Sequence, residues 1–209
     1  MQLLKNLEWR YATKKFDSTK KISESDLEKI KNAISLSASS YGLQAYKVLI
    51  IEDLEIRKQL QPKSWGQSQI VNASQLIVFC NYTKVDEKVI DDYLKLKATI
   101  QDLNLDDLKG YGDFMKSKIS EFSDDEVKSW TAKQTYIGLG NLLAACAELK
   151  IDACPMEGFE PKAYNDILGL SEKGLSAAVI STIGYRSEED LTQDNKKVRK
   201  PINELFETI

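Results

Sequence analysis

Two small groups of cations stand at opposite ends of this chain. Arg10, Lys14 and Lys15 lie just past a short N-terminal helical pattern, and Lys197 and Arg199 lie near the other end. In extended backbone the i, i+2 spacing of Lys197 and Arg199 puts both side chains on one side. Taken singly, each group reads as solvated surface charge. Taken with the hydroxyls of Ser37, Ser39 and Ser40, they make the inventory that a phosphomonoester requires: two or three cations plus hydroxyl or backbone N–H donors. A third segment, Pro155-Met156-Glu157-Gly158-Phe159, follows an apolar stretch. Its proline fixes the entry and its glycine lets main chain approach a flat ligand. On its own the segment is also an ordinary turn.

What the chain lacks is equally informative. It contains no histidine, so serine–histidine and cysteine–histidine hydrolysis are excluded and the commonest zinc ligand is missing. No metal site is expected. Redox or proton chemistry would have to come from a bound cofactor. Cys80, Cys146 and Cys154 show no CxxC spacing and read as buried core thiols of a reducing, cytoplasmic protein. Gly138-Leu139-Gly140-Asn141-Leu142-Leu143 imitates a dinucleotide fingerprint, but Leu143 holds the third glycine position and the segment lies within a helical pattern. Close helix packing is the simpler explanation. There is no phosphate loop of the GxxxxGK[ST] type. With 29 basic and 32 acidic residues the formal charge is -3, which offers no excess to neutralise nucleic-acid phosphates. No signal-peptide core and no membrane-length apolar run is present.

These residues need a scaffold, and the periodicity outlines one. Residues 2–11 read as a short helix. Ser25 and Glu28 have capping-box spacing ahead of a helix over about residues 25–37. Val48–Ile51 and Leu76–Cys80 read as strands, with short helices over 53–61 and 67–73 between them. Residues 86–120 are charged and mostly helical, with a break expected near 109–112. Ser123 and Glu126 form a second capping box, opening a long helix over about 124–149 that turns apolar on nearly all sides from Ile137. Residues 151–158 read as irregular. Pro161–Leu168 is a helix stopped by Gly169, and Leu175–Tyr185 is the strongest strand. Few strands, many helices and no repeating order predict an α+β fold in a single domain over 1–209.

Taken in order, the segments resemble the nitroreductase family of FMN enzymes, in the branch of oxygen-insensitive nitroreductases and dihydropteridine-reductase-like proteins. The resemblance rests on Arg10-Tyr11-Ala12-Thr13-Lys14-Lys15-Phe16-Asp17, Ser39-Ser40-Tyr41-Gly42-Leu43-Gln44, Gln67-Ser68-Gln69 with Ala73-Ser74, Ala132-Lys133-Gln134-Thr135-Tyr136, Gly140-Asn141, Pro155-Met156-Glu157-Gly158-Phe159 and Lys197-Val198-Arg199-Lys200-Pro201. It implies a mostly antiparallel central sheet flanked by helices, and a homodimer with two FMN sites at its interface. A C-terminal tail would wrap the partner.

By the same resemblance, Arg10, Lys197 and Arg199 hold the FMN phosphate, with Tyr11 and Ala12 giving main-chain contacts. Lys14 faces the pyrimidine side of the ring near N1 and O2, with Gln67 and Gln69 close by. Pro155, Met156, Glu157 and Gly158 lie along the ring, and the Glu157 main chain orients it at N5. Ser39, Ser40 and Gln134 come from the other subunit, and Gly42 belongs to the same serine loop. NADH or NADPH and a small-molecule acceptor, such as a nitroaromatic or a quinone, take turns at one open face. Lys14 and Glu157 are the residues expected to act on the chemistry, Glu157 through its main chain. Tyr111, Phe114 and Phe122 are candidates for a lid, or for core.

The sequence departs from the family pattern at four places. Ala12 stands for a common serine, Gly66 for a ring-contacting asparagine, Gln69 for a lysine, and Ala45-Tyr46 for proline–tryptophan. Two other readings share the fold: an FMN-binding sensor or store without turnover, and a reductase of a pteridine or an activated alkene. A third abandons it for a histidine-free helical interaction protein.

Overall fold

A strand buried from Gln75 to Asn81, β2 (Gln75–Tyr82), organises the structure, a computed structural model that describes all 209 residues. β2 pairs on one side with β1 (Tyr46–Ile51) and on the other with β4 (Leu175–Gly184), and β3 (Asp152–Met156) pairs with the far edge of β4. Every pairing is antiparallel. This is the expected α+β architecture.

Strand periodicity divides the core in two. Leu76, Val78 and Cys80 point to one face, where they pack with Leu60 of α3 (Leu54–Leu60), Ile70 of α4 (Gln69–Asn72) and Tyr164 of α8 (Pro161–Leu168). Ile77 and Phe79 point to the other, against Leu27, Ile30 and Ile34 of α2 (Glu24–Ser35) and Leu139, Leu142 and Cys146 of α7 (Asp124–Glu148). Because both faces are covered, β2 reads as a continuous apolar run despite being antiparallel. A smaller cluster joins α5 (Glu87–Gln101) and α6 (Lys109–Ser120) to Leu43. α1 (Gln2–Trp9) lies against α7, and α9 (Ile202–Leu205) sits in an exposed tail.

The Ser123–Glu126 capping box forms as expected, each side chain meeting the other residue's backbone. Three local expectations fail. Ser23, not Ser25, caps α2, accepting from the Asp26 N–H at 3.1 Å. Ile22 decides this: it is buried, and its N–H is pinned to Ser74 Oγ at 2.9 Å, so the chain must turn into the helix immediately after it. The break expected at 109–112 falls at 102–108 instead. There Asp102 takes a left-handed φ of 51° and Asn104 starts a 3₁₀ turn, while Gly110 and Gly112 remain helical. Residues 152–156 are a strand, not an irregular segment. Five residues containing a proline carry no period to read, and only pairing with β4 makes them β-structure. Proline is tolerated because β3 is an edge strand.

Candidate functional site

The strip Arg10–Asp17 is laid along the outer edge of β3. α1 stops at Trp9 and Arg10 is extended. Ala12 then bridges in parallel to Ala153, and Phe16 bridges to Arg186. Two buried carboxylates fasten the strip. Asp152 accepts from Arg186 Nε at 2.8 Å, from the Arg186 N–H at 2.8 Å and from Thr13 Oγ1 at 3.4 Å, and Arg186 Nη2 lies 2.6 Å away. The same guanidinium sits over the rings of Trp9 and Tyr11, at 4.5 and 4.6 Å from their centroids. Asp190 accepts from Tyr11 Oη at 2.8 Å, the Lys14 N–H at 2.8 Å and the Lys15 N–H at 3.1 Å. Burial works against the charge on Asp190, but these bonds and those from Thr192 outweigh it and hold the carboxyl well below its usual range.

Arg10, Ala12 and Pro155 share a cavity of about 450 Å³ with Thr192, Lys197 and Arg199. Arg10 from one end of the sequence and Lys197 and Arg199 from the other therefore meet, whereas Lys14, Lys15 and the serines at 37, 39 and 40, which the sequence grouped with them, do not line this cavity. The cations repel one another here. Burial, then Arg199, lowers the proton affinity of Arg10; burial, then Arg10 and Arg199, lowers that of Lys197, and Glu8 offsets this least. Lys197 Nζ donates to the Arg10 carbonyl and Arg199 Nη1 to the Val198 carbonyl. Arg10 Nε is buried with no hydrogen-bond partner. A buried guanidinium N–H without an acceptor is costly. Mutually repelling cations around such a donor are chemically complementary to a dianion.

Cys154, in the middle of β3, is buried. Burial pushes its thiol up, and Lys14, a contact from Gln69, and Arg10 pull it part of the way back. Gln69 is itself buried, the Lys14 side chain is exposed, and neither residue lines the cavity. At the end of β3 the Met156 side chain enters the core. Glu157 accepts from Tyr136 Oη of α7 at 2.5 Å, and the Gly158 carbonyl accepts from Gln67 Nε2 at 3.0 Å. Burial, then Glu157, pushes the Tyr136 phenol up to about 12. Gly158 cannot be replaced without a shift: a Cβ there would lie 2.8 Å from the Trp65 ring.

Ser39, Ser40, Gly42 and Gln134 form a separate group. Gln134 Oε1 accepts from the Ser40 N–H at 2.8 Å, and its Nε2 donates to the Trp130 carbonyl at 3.2 Å. Ser39 Oγ accepts from the Gln44 N–H at 2.9 Å. Gly42 is required by its backbone, with φ +78° and a would-be Cβ 2.8 Å from Tyr93 Oη. None of the four borders the cation cavity. The lid candidates lie beside this group: Phe114 packs edge-on to Tyr41 and Phe122 edge-on to Trp130, both remaining 40% or more exposed. Tyr111 lies under Lys97.

Asp152, Arg186, Asp190, Trp65 and Tyr136 complete the site and were not legible as site residues. Asp190-Leu191-Thr192 carries an Asx-turn signal, confirmed by Thr192 donating to Oδ1. Nothing local announces its partners some 175 residues away. No group of three or more Cys, Asp or Glu converges to hold a metal, and no helix is long and apolar enough to cross a membrane.

Known proteins share this fold and family sequence. The sequence model of the nitroreductase family matches residues 7–185. The Bacillus subtilis protein named "Putative NAD(P)H nitroreductase YfkO" is 37% identical over 196 residues, which span 88% of this chain and 89% of that protein. Among solved structures, ydfN from Bacillus subtilis has a TM-score of 0.89 at 20% identity, covering 100% of this chain and 99% of its own. A structure from Exiguobacterium sibiricum in complex with FMN has a TM-score of 0.84 at 18% identity, covering 100% and 98%. At these identities the two structures establish a common fold.

Proposed function

Because the chain belongs to the nitroreductase family, we propose that it is an FMN-dependent oxidoreductase that draws electrons from NADH or NADPH and passes them, two at a time, to nitroaromatic, quinone or similar acceptors. The observation that carries this reading is the cradle of Arg10, Lys197 and Arg199 round an unpartnered guanidinium N–H, at the edge of the Pro155–Gly158 segment. Those residues suit the phosphate of FMN. When bound, FMN would supply two-electron chemistry that no side chain of this chain can perform. Lys14, its main chain held by Asp190, supplies a positive charge for the pyrimidine side of the ring, and the main chain of Glu157 and Gly158 orients it. Binding donor and acceptor in turn at one face implies ping-pong kinetics.

The cradle and the Ser39–Gln134 group do not meet within one chain, which supports a homodimer in which each site draws Ser39, Ser40 and Gln134 from the partner. Several features favour such pairing. Tyr136 and Ile137 are exposed on α7, and the tail exposes Val198, Ile202, Leu205 and Phe206. The outer edge of β1 has no partner strand. Exposed apolar surface of this kind marks an interface. Three buried, unbridged cysteines favour a cytoplasmic setting.

The test is spectroscopic. Purified protein should be yellow, with bands near about 370 and 450 nm from its flavin, and should bleach when NADH or NADPH is added without oxygen. Yellow protein that does not bleach would favour a binding or sensing role. Colourless protein that ignores added FMN would end the proposal. Turnover with nitroaromatic, quinone and enone acceptors then ranks the substrate classes.

Two further results are expected. Gln69 is buried where some family members carry a lysine, so Lys14 is the main positive charge available to the ring. Gln69→Lys should raise the flavin midpoint potential, measured by dye equilibration; an unchanged or lower potential would place Gln69 away from the ring. FMN affinity should also depend on pH. The proton affinity of Lys197 is lowered in the free protein, and a bound dianion must raise it. Affinity is therefore full below the lowered pKa and falls as pH climbs through it. On the acid side it falls as the phosphate loses its second charge, near about pH 6. Titrations from neutral to alkaline pH that stay flat would remove Lys197 from the cradle.

A further inference from the structure

Asp190 is 2% exposed, and carboxylates are almost never so buried without specific partners. Its partners come from both ends of the chain. Through Oδ2 it holds Tyr11 Oη and the Lys14 and Lys15 N–H groups. Through Oδ1 it holds the Thr192 N–H at 3.0 Å and Oγ1 at 2.6 Å. A turn cap would use only Thr192; the three donors from the strip exceed what the turn needs. Thr192 lies in a single 3₁₀ turn, Leu191–Asp194, after which the chain runs exposed to Lys197 and Arg199. Few contacts of its own fix that run, apart from the Lys197 bond to the Arg10 carbonyl.

We infer that Asp190 is the positioning residue that makes the two cation groups one site: a single carboxylate clamps the main chain of the Lys14 strip and, on its other oxygen, the root of the tail that carries Lys197 and Arg199. The inference rests on the FMN reading above. Without the clamp, cations that repel one another have no reason to stay gathered before the phosphate arrives. Preorganising them removes an ordering cost from binding. Asp190 does not itself line the cradle cavity, but it bonds to Tyr11 and Thr192, which do, so its influence is transmitted through the strip and the tail.

The decisive comparison is FMN against riboflavin, which lacks the phosphate, titrated by flavin fluorescence into cofactor-free wild type and Asp190→Asn. The asparagine presents N–H groups to at least one donor that now meets an oxygen. FMN affinity should fall about tenfold, the scale of lost charge-assisted bonds, while riboflavin affinity moves much less. Hydrogen exchange at the Lys14 and Lys15 amides should accelerate in the same variant, a readout that involves no cofactor. A folded variant that weakens FMN and riboflavin alike would reduce Asp190 to a structural role and overturn the inference; so would unchanged affinity for both. If Asp190→Asn does not fold, Thr192→Val decides. It loosens the tail root without stranding a charge, and should weaken FMN selectively; unchanged FMN binding would overturn the inference. Wild type that binds riboflavin and FMN equally would sink the phosphate cradle, and wild type that binds neither would sink the proposed function, taking the inference with it in both cases.

Discussion

Arg10→Ala should weaken FMN binding by at least about 30-fold, since truncating one member of a buried charge pair costs roughly 2–5 kcal/mol and each 1.4 kcal/mol is about tenfold. Arg10 is the most enclosed of the three cradle cations; Lys197 and Arg199 are exposed. It is also the one with a buried N–H left unpartnered. Arg10→Lys should recover only part of the loss, because an ammonium cannot reproduce the fork of a guanidinium. The effect on the cofactor-free protein should have the opposite sign. Arg10 is held against Arg199 and Lys197 at an electrostatic cost, so its removal should leave thermal stability unchanged or raised. Fluorescence titration and thermal melts on one preparation check both halves. Wild-type affinity in Arg10→Ala would disprove the cradle, and a large loss of stability without FMN would show that Arg10 is structural instead.

The largest stability effect is expected at Asp152. It is 4% exposed and carries the Arg186 guanidinium, the Arg186 N–H and Thr13. Replacing it with alanine strands Arg186 between the Trp9 and Tyr11 rings. Breaking a buried pair in this way costs about 3–5 kcal/mol, or roughly 6–20 °C in Tm for a chain of this size. Asp152→Ala with Arg186→Met should cost less than the sum of the two single changes, because the second no longer strands a charge. Additive costs would mean that the pair is not coupled. A loss below about 1 kcal/mol in Asp152→Ala would mean that solvent reaches the site and replaces the bond. FMN affinity should fall as well, since Thr13 lies between Ala12 and Lys14 and ties the strip to β3.

The sequence by itself determined a good deal. Leu76 to Cys80 announced a buried strand, the Ser123–Glu126 box announced α7, and Pro161 with Gly169 bracketed α8, because each signal is local and repeats with the element's own period. The absence of histidine excluded histidine-based hydrolysis, and the order of short segments such as Arg10–Asp17 and Lys197–Pro201 pointed to the family. Other features waited for the tertiary structure. Residues 152–156 became a strand only by pairing with β4, and Ser23 displaced Ser25 as a cap only because Ile22 was already anchored in the core. Arg10 and Lys197 became one site only when the two ends of the chain were brought to the same edge of the sheet. Asp152 and Asp190 look like surface carboxylates in the sequence. Their role lies in hydrogen bonds to residues 34 to 179 positions away, and no local pattern encodes partners at that distance.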